Sequence, residues 1–317
     1  MDKEIGIVLR SMGGSNIVKF EKTGKITECP VRGKIRLKGI RSTNPVVVGD
    51  RVVLQTDIAT KQTVIVDILE RKNYIIRRST NLSKESHILA ANIDNFYIIA
   101  TVTEPHTTLM FIDRMLITAE AYCINAKIVF NKIDICKDIL LEKLSEYIVT
   151  YESIGYKCFY TSATKNIGID EIKKDMANKV SLFAGHSGVG KSSLINRIDE
   201  SLNLKISDIS ELHKQGKHTT TFASMYQTDN NAYIIDTPGI RAFGLLDIDR
   251  NELSHYFPEI FKSSEKCKFY NCTHIHEPGC NVIKDVENGN IPESRYQNYV
   301  TIFLDKEDEK YRLDDYS

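Results

Sequence analysis

Neither sign of charge is in excess: the 317 residues hold 42 Lys plus Arg and 42 Asp plus Glu, so bulk charge singles out no partner. No apolar run approaches the length of a membrane-spanning helix, and the opening Met-Asp-Lys-Glu-Ile-Gly lacks the pattern of a secretory leader. A disulfide framework is missing too. Seven cysteines is an odd count, with Cys29, Cys123, Cys136 and Cys158 scattered and three more crowded into residues 267–280. That usage points to a reducing cytoplasm and one local metal site. What charge asymmetry exists is local: residues 1–75 carry 14 Lys/Arg against 8 Asp/Glu, and residues 301–317 carry 3 against 6. A basic head and an acidic tail are compatible with a nucleic-acid surface at the N-terminal end.

The stretch with the most chemistry is Gly185-His186-Ser187-Gly188-Val189-Gly190-Lys191-Ser192. It comes after an apolar run, Val180–Ala184, and leads into Ser193-Leu194-Ile195-Asn196-Arg197. Strand, glycine-rich loop and helix start with this spacing make a phosphate-binding loop. The glycines let backbone N–H groups wrap an anion, and the helix adds its positive dipole end. Lys191 reaches outer phosphates, and the Ser192 hydroxyl suits a bridging Mg²⁺.

Residues 1–75 read as all-β, with β-branched runs at 5–9, 17–20, 34–37, 51–54 and 63–66 between turn signals such as Asn44-Pro45 and Gly49-Asp50. Five short strands in this length predict a small closed barrel of the oligonucleotide-binding type. Arg32, Lys34, Arg36, Lys38 and Arg41 would give one wall a positive stripe for RNA phosphates.

From about residue 90 strands and helices alternate, which predicts a parallel sheet with helices on both faces. Strands are expected at 95–102, 127–130 and 158–160, and helices at 109–123, 138–150 and near 169–178. The strand at 127–130 runs directly into Asn131-Lys132-Ile133-Asp134. A carboxylate there accepts both the N1–H and the exocyclic N2–H of guanine, whereas adenine offers no donor at either place. Asn131 and the Lys132 stem would hold the neighbouring loop and cover the base, and the backbone at Ser162-Ala163 would donate to O6.

After the phosphate loop, Gly216-Lys217-His218-Thr219-Thr220-Thr221 offers hydroxyls that join Ser192 on Mg²⁺ and sense the γ-phosphate. Two strands, 222–227 and 232–235, flank an Asp229-Asn230-Asn231 turn, and the second ends in Asp236-Thr237-Pro238-Gly239. Asp236 would hold a Mg²⁺ water and the Gly239 N–H would meet the γ-phosphate. Guanine-type elements thus precede the phosphate loop, the reverse of the order in ordinary small GTPases. In this order the segment after Gly239 passes straight into the C-terminal region, so a γ-phosphate-sensing loop pulls on the module downstream of it.

That module carries Cys267-x4-Cys272-x-His274-x5-Cys280, with His276 an alternative to the preferred His274. Three thiolates and an imidazole suit a closed tetrahedral zinc site that holds a small module together. Residues 285–302 read as helical with a break at Pro292.

Together these motifs resemble the circularly permuted ribosome-associated GTPases of the RsgA (YjeQ/YloQ) family, in the family order and over nearly the whole chain. The resemblance implies a cytoplasmic GTPase that binds the small ribosomal subunit and its rRNA late in maturation and is stimulated by it. It also implies zinc on Cys267, Cys272, His274 and Cys280, and GTP or GDP with Mg²⁺ at the central domain. His186 stands where the family often has glutamine. The expected domains are 1–75, 76–245 and 246–317, in a chain expected to be monomeric because its partner is asymmetric. Ile240, just after Asp236–Gly239, can neither orient water nor stabilise charge, so intrinsic hydrolysis should be slow. His218 is the candidate for the missing catalytic group, placed when the partner orders its loop. The competing readings are a non-hydrolysing GTP-dependent RNA-binding module and a P-loop kinase. Asp134 disfavours the kinase by selecting GTP over ATP.

Overall fold

The computed structural model describes residues 3–12, 14–32, 45–57, 60–78, 86–202, 223–236 and 248–304. Five strands open the chain: β1 (Lys3–Ser11), β2 (Ser15–Phe20), β3 (Ile26–Pro30), β4 (Arg51–Thr56) and β5 (Thr63–Ile68). β1 pairs antiparallel with both β2 and β4, β2 with β3, and β4 with β5. A parallel bridge from Val31 to Ile65, with the Arg32 N–H donating to the Ile65 carbonyl at 2.9 Å, joins the last strand to the end of β3 and closes a barrel. Alternation is what fills it: Val8, Val18, Phe20, Cys29, Val52, Leu54 and Ile65 point inward and are buried. β3 escapes sequence reading because it is short, ends in proline and has one buried side chain, Cys29. The run expected as a strand at 34–37 lies outside the described residues.

The chain divides into two compact units, each assembled from separate stretches of sequence. The first takes in the barrel, the hairpin of β6 (Tyr74–Arg78) and β7 (Ser86–Ala91), and part of the α/β region: α3 (Ile169–Met176), β11 (Val180–Ala184), α4 (Lys191–Ile198), β12 (Ser224–Gln227) and β13 (Tyr233–Asp236). β11 and β13 are parallel, whereas β12 runs antiparallel to β13, so the sheet is mixed and not wholly parallel. The cause is the tight turn at Asp229-Asn230-Asn231, where Asn231 takes a left-handed φ of 57°. β12 also meets β1 antiparallel at Ser224 and Arg10, and the Arg10 Nε donates to the Ser224 hydroxyl at 3.0 Å. The barrel therefore shares its first strand's edge with the α/β sheet.

The second unit contains β8 (Asn95–Ala100) from Tyr97 onward, α1 (Leu109–Ala121), β9 (Asn125–Phe130), α2 (Ile139–Ser153), β10 (Lys157–Tyr160), the loop Gly185–Gly190 and the C-terminal helices. β9 pairs parallel with β10, and β8 and β9 are buried nearly end to end, as strands covered on both faces must be. After a 3-10 helix at Arg250–Tyr256 come α5 (Pro258–Ser264), α6 (Asn281–Glu287) and α7 (Glu293–Leu304). Residues 285–302 are thus two helices meeting around Pro292. They pack Leu253, Phe257, Ile260, Val282, Ile291, Tyr299 and Ile302 into one core with Ile117 of α1. No helix of the described residues is long and apolar enough to cross a membrane.

Candidate functional site

β9 delivers Asn131 at its C-terminal end, where its side chain is buried and bonded on every side. Its Nδ2 donates to the Val189 carbonyl at 2.9 Å, and its Oδ1 accepts from the Thr161 hydroxyl at 3.1 Å and the Ala163 N–H at 3.3 Å. One amide thus holds three loops together: its own, Gly185–Gly190, and Thr161–Ala163. Thr161 and Ala163 both follow the end of β10, which pairs parallel with β9, and parallel strands carry their C-terminal loops to the same edge.

The glycines of the loop are needed where they stand. Gly190 has φ of +91°, and a Cβ there would sit 2.4 Å from Asn131 Nδ2; at Gly185 a Cβ would sit 2.6 Å from the Ile99 carbonyl oxygen. His186 lies with its ring 3.7 Å from that of Phe111, centroid to centroid, in the first turn of α1. Ser187 and Gly188 are exposed and Val189 is buried. The loop runs on into α4, whose first residues are Lys191, Ser192 and Ser193; the Ser192 side chain is buried.

Lys132 takes a left-handed φ of 64° and sends Nζ to the Glu104 carbonyl at 2.8 Å. Its stem is thereby held along the site, while Ile133 and Asp134 begin a 3-10 turn. Asp134 stays partly open to solvent, and Thr164 donates to its Oδ2 at 3.2 Å. Hydrogen bonding from Ser162, helped by Thr164 and a nearby Lys165, holds its carboxyl below the ordinary carboxylate value. It is an anion with acceptor capacity to spare. Thr161 and Thr164 carry no sequence signal of their own beyond flanking the Ser162-Ala163 pair.

Asp236 ends β13, and its side chain is not among the described ones. His218, Thr219, Thr220, Gly239 and Ile240 lie outside the described residues, as do Lys34, Arg36, Lys38 and Arg41. Arg32 is described and exposed, with Nη1 donating to Gln55 at 3.2 Å.

The second cluster forms in the C-terminal stretch. The ligating atoms of Cys267, Cys272, His274 and Cys280 all lie within 4.8 Å of one another. Cys267 Sγ is 3.9 Å from Cys280 Sγ, and His274 Nδ1 is 3.7 and 3.6 Å from those two sulfurs. A tetrahedron with metal–sulfur bonds of about 2.3 Å has edges of about 3.8 Å, so the donors stand at ion-holding spacing. His276 is exposed and outside the group. The knuckle has supports that the cysteine spacing did not reveal. The Glu277 carboxylate accepts the N–H groups of Thr273, Ile275 and His276 at 2.7, 3.2 and 3.3 Å. Burial would raise that carboxyl, but these bonds and the Thr273 hydroxyl outweigh it and bring it down to about 2. From α7, Tyr296 and Tyr299 donate to the carbonyls of His274 and Thr273 at 2.8 and 2.9 Å.

Two family models match the chain: the RsgA N-terminal domain over residues 5–65 and the RsgA GTPase over residues 68–246. The chain is 52% identical over 308 residues to the small ribosomal subunit biogenesis GTPase RsgA 2 of Bacteroides thetaiotaomicron, covering 97% of this chain and 98% of that one. It is 50% identical over 313 residues to the small ribosomal subunit biogenesis GTPase RsgA of Flavobacterium johnsoniae, covering 98% and 96%. Among solved structures it resembles YjeQ from Thermotoga maritima, with a TM-score of 0.77 and 36% identity over 95% of this chain and 98% of that one. It also resembles YloQ, described as a circularly permuted GTPase, with a TM-score of 0.76 and 27% identity over 95% and 94%.

Proposed function

The chain belongs to the RsgA family of circularly permuted GTPases, and from that premise we propose that it binds the small ribosomal subunit and its rRNA and assists late maturation under subunit-stimulated GTP hydrolysis. The observation that carries the nucleotide half of this reading is the Asn131–Val189 bond, which joins a guanine-type motif to the Gly185–Gly190 stretch within one compact unit. In this reading Asp134 accepts the guanine N1–H and N2–H. Asn131 and the Lys132 stem shape the base pocket, Ile133 carries the turn, and Ser162-Ala163 supplies the O6 donor. The N–H groups of Gly185–Gly190 surround the phosphates, Lys191 meets the outer ones as a point charge, and Ser193 continues the helix start. Thr219, Thr220 and Gly239 sense the γ-phosphate.

The Ser192 and Thr220 hydroxyls are donors of the kind that suit Mg²⁺, with Asp236 assigned to hold one of the ion's waters; the ion when bound would neutralise charge on the phosphates. Cys267, Cys272, His274 and Cys280 would hold one Zn²⁺; four protein donors leave no open position, so its role is structural. With no glutamine after Asp236–Gly239, hydrolysis waits on an added group, and His218 is assigned that role. The three-part division at 75/76 and 245/246, a monomeric state and a cytoplasmic location belong to the same proposal.

The test is co-sedimentation with small ribosomal subunits in the presence of GDP or a non-hydrolysable GTP analogue, paired with phosphate release. The expected result is stronger retention with the analogue and faster release with subunits. No retention in either state would overturn the ribosomal reading, and retention without stimulated release would leave a non-hydrolysing RNA-binding module.

A further inference from the structure

Arg295 on α7 is fully buried, and so is Asp113 on α1; the guanidinium Nη1 donates to the Asp113 Oδ1 at 2.7 Å. The same guanidinium donates through Nε to Glu259 of α5 at 2.7 Å and lies 4.5 Å from the centre of the Phe257 ring. Asp113 is saturated: Tyr151 of α2 donates to Oδ1 at 2.8 Å, and Asn298 of α7 donates to Oδ2 at 2.6 Å. An ion pair desolvated to this degree is weak evidence for stability, because removing two charges from water costs about what their attraction returns. What such a pair does well is fix one geometry, since any displacement leaves a buried charge unpaired.

The geometry fixed here is that of the first turns of α1. Asp113 lies two residues from Phe111, whose ring lies against that of His186 of the phosphate loop at a tilt of 35°, and the Tyr151 hydroxyl that bonds to Asp113 also sits 3.4 Å from the Leu109 carbonyl. The helix is capped at that end, with the Phe111 N–H bonded to the Thr108 hydroxyl at 3.2 Å, so the turn that carries Phe111 cannot drift independently of Asp113. Beyond Arg295, Tyr296 and Tyr299 of α7 bond to the carbonyls of His274 and Thr273 in the Cys3His knuckle. One physical path therefore runs from His186 through Phe111, Asp113, Arg295 and the α7 tyrosines to the knuckle.

We infer that Arg295 is a positioning residue for the phosphate loop, holding α1 so that Phe111 backs His186. The inference rests on the proposal that a guanine nucleotide occupies that loop. The consequence is reciprocal: a nucleotide that orders the loop steadies α7 and the knuckle, and loosening α7 weakens nucleotide binding.

The full-length protein with three sets of substitutions tests it, read by affinity for a fluorescent GDP, thermal melting and zinc content. Arg295→Lys keeps the charge and loses the fork. The triple variant Asp113→Leu, Glu259→Leu and Arg295→Met removes all three charges together and so leaves no unpaired one. Phe111→Ala cuts the path at its other end. Each set is expected to weaken GDP binding about 2- to 30-fold, the span of couplings carried by packed networks, with zinc content retained. Combining Phe111→Ala with the triple should add nothing, because both break the same path. Native-tight GDP binding by a folded Arg295→Lys or triple variant overturns the inference, and so do losses that multiply in the combined variant. If neither folds, Phe111→Ala decides alone: undiminished affinity overturns the inference. Failure of the unsubstituted protein to bind GDP refutes the nucleotide site itself, a separate outcome.

Discussion

The Asn131 side-chain amide donates to the carbonyl of Val189, 58 residues further along the chain, at 2.9 Å. Through this bond the Asn131–Asp134 turn and the Gly185–Gly190 loop share one buried hub, although the chain reaches the first before the second. The bond also dictates a glycine. At Gly190 a Cβ would fall 2.4 Å from the same amide nitrogen, at a φ of +91°. Gly190→Ala should therefore lose GDP binding by about tenfold or more, the equivalent of one buried amide left unpaired at about 1–3 kcal/mol. Titration with a fluorescent GDP measures it, and retained affinity would show that the hub does not shape the loop.

Asp134→Asn exchanges an acceptor fork for an amide that offers a donor. Guanine then loses its two bonds to a charged group, each worth about 1.5–3 kcal/mol, so GTP affinity should fall about 100-fold or more. Xanthine, with a carbonyl where guanine has its exocyclic amine, should bind the variant better than GTP does. A competition assay with GTP, XTP and ATP reads out the order.

Because hydrogen bonding from Ser162 holds Asp134 below its ordinary value, its negative charge is present above that lowered value and lost as pH falls through it. The ratio of GDP affinities between the unsubstituted protein and Asp134→Asn, in which protonation of the nucleotide's own terminal phosphate near pH 6 cancels, should stay level from about pH 8 to about pH 5 and decline only beneath the ordinary carboxylate range near 3.9. A midpoint above about pH 4 that Asp134→Asn abolishes would contradict this ordering.

Glu277→Ala frees three backbone N–H groups that shape the Cys272–Cys280 turn. The expected effect is a loss of about 10- to 100-fold in zinc affinity, as for other groups that orient ligands without touching the ion. Competition with a chromophoric chelator measures it. Cys280→Ser should go further and abolish stoichiometric zinc, with melting of the module that the ion closes.

His218→Ala should keep GTP affinity and lose subunit-stimulated phosphate release, since the residue is assigned to chemistry and not to binding. Unchanged stimulation would remove it from the mechanism.

Motif spacing along the chain was enough to mark the Gly185–Ser192 loop and the Asn131–Asp134 turn as candidates, and to anticipate the grouping of the four metal-ligand candidates and the strand–helix alternation. Each of these is a local constraint: a tight turn needs glycine at a given offset, and a strand end presents the residues just beyond it. β3 was invisible because its partner on the barrel wall, not its own alternation, makes it a strand. The antiparallel entry of β12 and its pairing with β1 were equally absent from any window of sequence, since edges meet only after folding.

The sequence by itself determined which side chains are on offer: a carboxylate just beyond a strand end, a glycine-rich loop with a lysine and serines, and three thiols with an imidazole. Only the tertiary structure decided who supports whom. Asn131 against Val189, Phe111 against His186 and Arg295 against Asp113 are contacts between residues far apart in the chain. A buried polar group must find a partner wherever packing leaves one, and no spacing rule encodes that choice.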